Sequence, residues 1–357
     1  MKKRIALLLA ALLAVGSLTA CGGNNGSNNG TEGGDAATVK VGLGLHTQMD
    51  YSSKDATAEE AGLAQADLTV CAVTLNADGT IADVKVDAIQ VKTNFDATGA
   101  ITADTPTEFK TKRELGADYN MKGVSASMGK IEGGAEWFEQ ADAFEDFCIN
   151  KTLDQVVAAM NAEQYPSDET LLLGCTMKIN GFVKALEKAY AEAEAGTYTA
   201  AATDELNIGI VAEVSNPADA TAEEAGAATA YANFVAVTTD AEGKISTCIL
   251  DSVQAKFAWD ATGKLTSDLT VDTTTKYDLK EEYGMKGASA SNGVIADGGE
   301  WYEQADAFMS HVKGMTASEV AAIAMDEGGY PQDETLRLGC TMKVSAYVNA
   351  VSKALAN

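Results

Sequence analysis

The chain has 357 residues, room for two ordinary domains, and 46% of them are hydrophobic, enough for two packed cores. Against 26 Lys and Arg stand 52 Asp and Glu, a formal net charge of −26. A surface this acidic repels phosphate backbones and anionic headgroups, which argues against nucleic acid as a partner and suits solubility in exposed surroundings.

At the N-terminus, Lys2, Lys3 and Arg4 precede an apolar run from Ile5 to Val15 that is too short to span a bilayer comfortably. This is the pattern of an export signal peptide over residues 1–20. Leu18-Thr19-Ala20-Cys21 resembles the bacterial lipobox, in which small residues precede a cysteine that is diacylated and becomes the new N-terminus. The resemblance implies lipidation at Cys21 and a protein held on the outer face of the cell membrane. Processing would remove three basic residues of the 26 and no acid, leaving 23 against 52. Residues 21–37, rich in Gly and Asn, read as a flexible spacer, and no later stretch is long and apolar enough to span, so lipid is the only expected anchor.

The remainder is one domain written twice. Asp55-Ala-Thr-Ala-Glu-Glu-Ala-Gly62 recurs letter for letter as Asp219-Ala-Thr-Ala-Glu-Glu-Ala-Gly226, and Trp137 and Trp301 keep the same offset of 164. Between Lys112–Glu145 and Lys276–Met309, 20 of 34 positions are identical, far beyond unrelated sequence. One residue is added later, near Gly328-Gly329, so that Thr176 maps to Thr341. The unit is much longer than a solenoid repeat, which makes it a domain: residues 38–190 and 205–357, with 191–204 as linker.

Each copy reads alike. Val39–Met49 and Leu68–Leu75 are rich in β-formers, and Asn76-Ala-Asp-Gly79 signals a turn into a strand over Ile81–Phe95. The second copy offers Asp240-Ala-Glu-Gly243 and then Ile245–Trp259. Asp96-Ala-Thr-Gly99 and Asp260-Ala-Thr-Gly263 break the chain before a further short strand. Helices follow: Trp137, Ala141, Phe144 and Cys148 share one face, as do Trp301, Ala305, Phe308 and Val312. A second helix covers Leu153–Met160, and a last one begins near Thr176, burying Ile179, Phe182, Val183, Leu186 and Tyr190. Strands first and helices last predict an α+β domain, an antiparallel sheet with helices packed on one face, present as two tandem copies.

Of six cysteines, five remain after Cys21. Cys71, Cys148 and Cys248 align with Val235, Val312 and Val84, which marks them as small core hydrophobes. Cys175 and Cys340 recur in the same Gly-Cys-Thr-Met-Lys context. No disulfide framework is implied, and exported free thiols suit an anaerobic producer. His46 and His311 occupy unmatched positions, and no paired His or Cys-x-x-Cys spacing occurs, so no metal site is expected.

Two matched clusters carry candidate chemistry. The first is Gly174-Cys175-Thr176-Met-Lys-Ile-Asn-Gly-Phe-Val-Lys-Ala-Leu186, echoed by Gly339-Cys340-Thr341-Met-Lys-Val-Ser-Ala-Tyr-Val-Asn-Ala-Val351. It resembles the C-terminal end of the extracytoplasmic FMN-binding domain, whose Ser/Thr-Gly-Ala-Thr tract leads into an amphipathic helix. The resemblance implies FMN as cofactor, its phosphate esterified to Thr176 and Thr341, with Gly174 and Gly339 as close-approach glycines. A helix N-terminus is a ready seat for phosphate. Read without the resemblance, the same threonines are N-caps of the last helix. The family's first Ser/Thr is Leu173 or Leu338 here and its Ala is Cys175 or Cys340, so the match is partial. As a whole, the two-copy pattern is similar to duplicated lipoproteins of anaerobic Gram-positive bacteria, a likeness that supplies no activity.

The second cluster joins Tyr119 and Lys122 to Trp137 and Gln140, matched by Tyr283, Lys286, Trp301 and Gln304. Aromatic, Lys and Gln side chains beside Gly133-Gly134 or Gly298-Gly299 would make a pocket for a planar ligand. The plainer reading is a core Trp with a Lys paired to an acid. Thr57-Ala-Glu-Glu60 and Thr221-Ala-Glu-Glu224 have capping-box spacing and predict a short helix start rather than a calcium loop. No repeated nucleophile, base and acid set emerges, so an enzyme is disfavoured. Two functions stay open: a flavin-binding or electron-transfer lipoprotein, and a non-catalytic surface module for a cell-envelope or small-molecule ligand.

Overall fold

A computed structural model describes residues 37–102 and 108–356; the expected signal peptide, Cys21 and the expected spacer up to residue 36 lie outside the described residues. The first repeat opens with three antiparallel strands, β1 (Thr38–Gln48), β2 (Gly62–Leu75) and β3 (Ile81–Phe95). The turn between β2 and β3 is the expected one, with Gly79 at a φ of 81° and Asp78 accepting from the Thr80 amide. Helices follow over Trp137–Cys148, Leu153–Val157 and Asn180–Ala195. The segment expected as a linker is structured: 191–195 finish the last helix, and β4 (Tyr198–Ala201) pairs antiparallel with β1. The second repeat supplies β5 (Glu205–Ala218), β6 (Gly226–Thr239) and β7 (Ile245–Trp259), then helices over Trp301–Val312, Ala317–Ala321 and Ser345–Ala354. The sheet orders are β3-β2-β1-β4 and β5-β6-β7. Each sheet thus carries its helices on one face, the expected α+β architecture.

The alternation within β1 shows why. Val39, Val41, Leu43 and Leu45 point to one face, while Gly42 and Gly44 lie under the Asn180–Ala195 helix, where an added Cβ would meet the Ala189 and Ala185 carbonyls. Glycine there brings helix and strand together. The other face does not meet solvent. Leu68, Val70, Ile89 and Val91 of the first sheet share one buried cluster with Ile208, Ile210, Phe234 and Val253 of the second. The two sheets pack face to face, and each helical layer closes its own outer core, around Phe144 and Phe182 or Phe308 and Tyr347. The repeats therefore form one compact unit of four layers, helices, sheet, sheet, helices.

The contacts across this interface are reciprocal. Asp55 Oδ1 accepts from the Leu265 amide at 2.8 Å, and Asp219 Oδ1 from the Ile101 amide at 2.7 Å. The Ala56 amide donates to the Gly263 carbonyl, and that of Ala220 to Gly99. Lys188 pairs with Asp272 at 2.9 Å, and its counterpart Lys353 with Glu108 at 2.6 Å. Residue i of one half meeting j of the other, and j meeting i, is the signature of an isologous, twofold arrangement. The fully repeated octapeptide is thus interface. Its Thr57 and Thr221 close a turn by accepting from the Glu60 and Glu224 amides, but no helix follows, because the chain enters β2 or β6 at once.

Three further expectations shift. The last helix begins at Asn180, with Ile179 as its cap residue, so Thr176 does not cap it. The short strand after each Asp-Ala-Thr-Gly turn is a single bridge, Phe95 to Ile101 or Trp259 to Leu265. The added residue of the second copy lies between Val320 and Ala324, since the bridges Met160–Pro166 and Met325–Pro331 are already in step.

Candidate functional site

In the first repeat a cleft of about 340 Å³ opens between the sheet and the helices, within the lower range of small-ligand sites. Trp137 stands in its wall as the first residue of its helix. Glu136, extended at φ −69°, precedes it and accepts from the amides of Met121 at 2.8 Å and Lys122 at 3.3 Å, fixing the short helix over Lys122–Ser127 against the start of the Trp137 helix. Phe182 meets Trp137 edge to face at 5.5 Å. The Lys112 ammonium lies over the rings of Tyr119 at 4.8 Å and Trp137 at 5.4 Å, a cation–π arrangement. From β2, Asp67 reaches the same cleft, accepting from Gln90 at 2.7 Å and Gln65 at 3.1 Å. Val124 and Met128 form an apolar flank.

Behind this cleft Gln140, fully buried, is a latch. Its carbonyl accepts from the Thr176 amide at 2.8 Å, the Met177 amide at 3.1 Å and the Thr176 hydroxyl at 3.2 Å, while its amide group donates to the Ala135 carbonyl. Gln304 does the same for Thr341 and the Gly299 carbonyl. The recurrence of Gln and Thr in both copies has this structural cause: one side chain satisfies the amides of a non-helical bend. Thr176 is 3% exposed. Its hydroxyl and amide are both engaged by Gln140 at the inner wall of the cleft, and those of Thr341, a partly exposed residue, by Gln304. Cys175 and Cys340 are fully buried, and burial pushes their thiols up to about 12 and about 11, so neither offers a thiolate. Gly174 and Gly339 press against Ala143 and Ala307 rather than a cavity.

The predicted pocket residues divide. Tyr119 and Trp137 come together as expected. Gln140 is behind the wall, and the exposed Lys122 contributes its backbone only. The cleft lysine is Lys112, whose match with Lys276 was visible but carried no motif. Asp67 was invisible, because its counterpart is Tyr231. Gly134 and Gly298 sit at φ 71° and 68° with no room for a Cβ against Lys122 and Lys286 backbone, which makes them packing glycines.

The second repeat fills the part of the equivalent space beside its Lys, Tyr and Trp, while the part beside Asn292, Tyr330 and Thr341 stays open. Tyr231, at the position of Asp67, accepts from the Lys276 ammonium at 3.0 Å, and that ammonium lies 4.4 Å from the Tyr231 ring centre and 4.7 Å from Tyr283. Tyr347, at the position of Phe182, accepts from the Trp301 indole N–H at 3.1 Å. Burial lowers Lys276 to about 8 and raises the Tyr231 hydroxyl to about 12, and burial with the neighbouring Tyr231 raises Tyr347 further, so both phenols are neutral. Two depressions remain nearby, of about 280 Å³ beside Tyr330 and Thr341 and about 530 Å³ beside Tyr283 and Lys276, and Trp301 lines neither.

No protein-family model matches this chain, and neither a curated protein nor a solved structure matches it.

Proposed function

We propose that this is an exported protein, anchored by lipid at Cys21, that binds a small planar ligand without transforming it. The observation that carries the reading is the cleft of the first repeat, where a cation rests on two aromatic rings beside an apolar flank and a carboxylate. Such a mix stacks a ring and fixes its orientation by a few polar contacts. Duplication then serves the scaffold, each repeat covering the apolar sheet face of the other. A flavin held without a covalent bond belongs to the same ligand class.

The anchor is tested by labelling with palmitate in a Gram-positive host: label on the wild type, none on Cys21→Ser, and release of that variant into the medium are expected. Binding is tested on the processed chain by thermal shift against flavins, aromatic carboxylates and phenols. If nothing in that panel raises the melting temperature, the ligand-binding reading fails. Yellow protein that yields free flavin on denaturation would assign flavin, and an unlabelled wild type would sink the anchor.

A further inference from the structure

The proposed binding reading underlies a sharper one, drawn from comparing the repeats at equivalent positions. Lys112, Tyr119 and Trp137 of the first match Lys276, Tyr283 and Trp301 of the second, yet the donors end differently. In the second repeat the lysine ammonium donates to the Tyr231 hydroxyl and the indole N–H to the Tyr347 hydroxyl. In the first, Asp67 and Phe182 stand in those places. Among the described residues, the Lys112 ammonium then has no hydrogen-bond or ion-pair partner, and the Trp137 indole N–H, on a side chain 3% exposed, has none either. Both side chains line the cleft, so a ligand that enters it can supply the acceptors that Tyr231 and Tyr347 supply in the second repeat.

We infer that the repeats have divided their roles: the second is closed by its own tyrosines, and the first takes a ligand that replaces them. The ligand is an aromatic ring bearing oxygen acceptors, as a carboxylate or phenol does, for Lys112 and Trp137. Asp67 adds a preference for an N–H or O–H donor on the same ring. Tyr231 is an internal copy of that ligand's ring, already docked on the same lysine and aromatic pair. The backbone agrees. Gln164, at the cleft rim, holds φ at 74°, where the second repeat has Gly329 at 83°, so the first repeat keeps a long amide side chain at a position that favours glycine.

The test uses the processed chain with 5-fluorotryptophan at its three tryptophans, Trp137, Trp259 and Trp301, read by fluorine NMR and titrated with 4-aminobenzoate. The Trp137 resonance is expected to move and the Trp301 resonance to stay. Asp67→Tyr, which installs the residue the second repeat already accommodates, is expected to abolish the Trp137 response. Tyr231→Asp with Tyr347→Phe is expected to create a response at Trp301. Equal movement of Trp137 and Trp301 in the wild type would overturn the division of roles while leaving ligand binding in place. A silent Trp137 at millimolar probe would overturn the ligand class, and the broader thermal-shift panel then decides separately whether the cleft binds anything.

Discussion

Phe95 and Trp259 stack face to face, with ring centres 4.5 Å apart and planes 5° from parallel, and they are the same position in the two repeats. An aromatic side chain that meets its own counterpart lies on the axis relating the two halves. Trp259 also donates its indole N–H to the Gly99 carbonyl at 2.8 Å, on the turn of the other repeat. Trp259→Ala removes the stack, the hydrogen bond and a fully buried ring, and should cost about 3–5 kcal/mol in urea unfolding. A loss below about 1 kcal/mol would mean that the axis is not where the halves are held.

A chain ending at Ala195 should not be a stable monomer. Its sheet would expose Val39, Val41, Leu45, Leu68 and Val70, each worth roughly 1.5–3 kcal/mol when buried. Sedimentation should show either a dimer that rebuilds the sandwich from two identical copies or aggregate. A monomer that unfolds cooperatively contradicts the shared core.

Gln140→Leu leaves the Thr176 and Met177 amides buried without acceptors, a loss of about 2–4 kcal/mol. Gln304→Leu should behave alike. Thr176→Val, which keeps both amide bonds to Gln140, should cost only about 0.5–1.5 kcal/mol. If the threonine variant proves the more damaging in chemical denaturation, the hydroxyl has a role beyond the latch.

Stability should fall as pH rises from about 4 to 7. Burial raises Asp251 and Glu192 to about 7 and Asp87 to about 6. With folded values above the ordinary carboxylate range, the folded state holds more protons than the unfolded one in that window. Their contribution is complete below the ordinary value and lost above about 7. Asp272 runs the other way: although burial opposes it, His46, the Thr47 amide and Lys188 hold it far below the usual range, so its share fades only in strong acid. Melting temperatures across pH should flatten in an Asp251→Asn, Glu192→Gln double variant, and an unchanged slope would refute the assignment.

Gln164→Gly should stabilise the fold by about 0.5–1 kcal/mol, by relieving a left-handed non-glycine residue, while weakening any ligand held at the rim. Equilibrium unfolding together with the 4-aminobenzoate titration checks both signs. A destabilised variant would show that the Gln164 side chain supports the rim itself.

The sequence alone determined the strands, the tight turns and the main helices, because period-two and period-3.6 hydrophobic patterns and glycine turns are local signals. Ile81–Phe95, Ile245–Trp259 and Trp137–Cys148 stand where those signals put them. Internal alignment also sorted Cys71, Cys148 and Cys248 into the core. What it could not give was the purpose of the repetition. Asp55 to Gly62 looks like a helix cap in one dimension and is a clasp on the opposite repeat in three, since its partners Gly263 and Leu265 lie some two hundred residues away. Matched residues such as Gln140 and Thr176 drew attention as chemistry and proved to be a latch. The position that separates the two clefts, Asp67 against Tyr231, differs between the repeats and so carries no repeated signal in the sequence. Identity between repeats marks what the shared scaffold requires; which space is open and which is filled depends on side-chain volume at the few positions where they diverge, and only tertiary packing decides that.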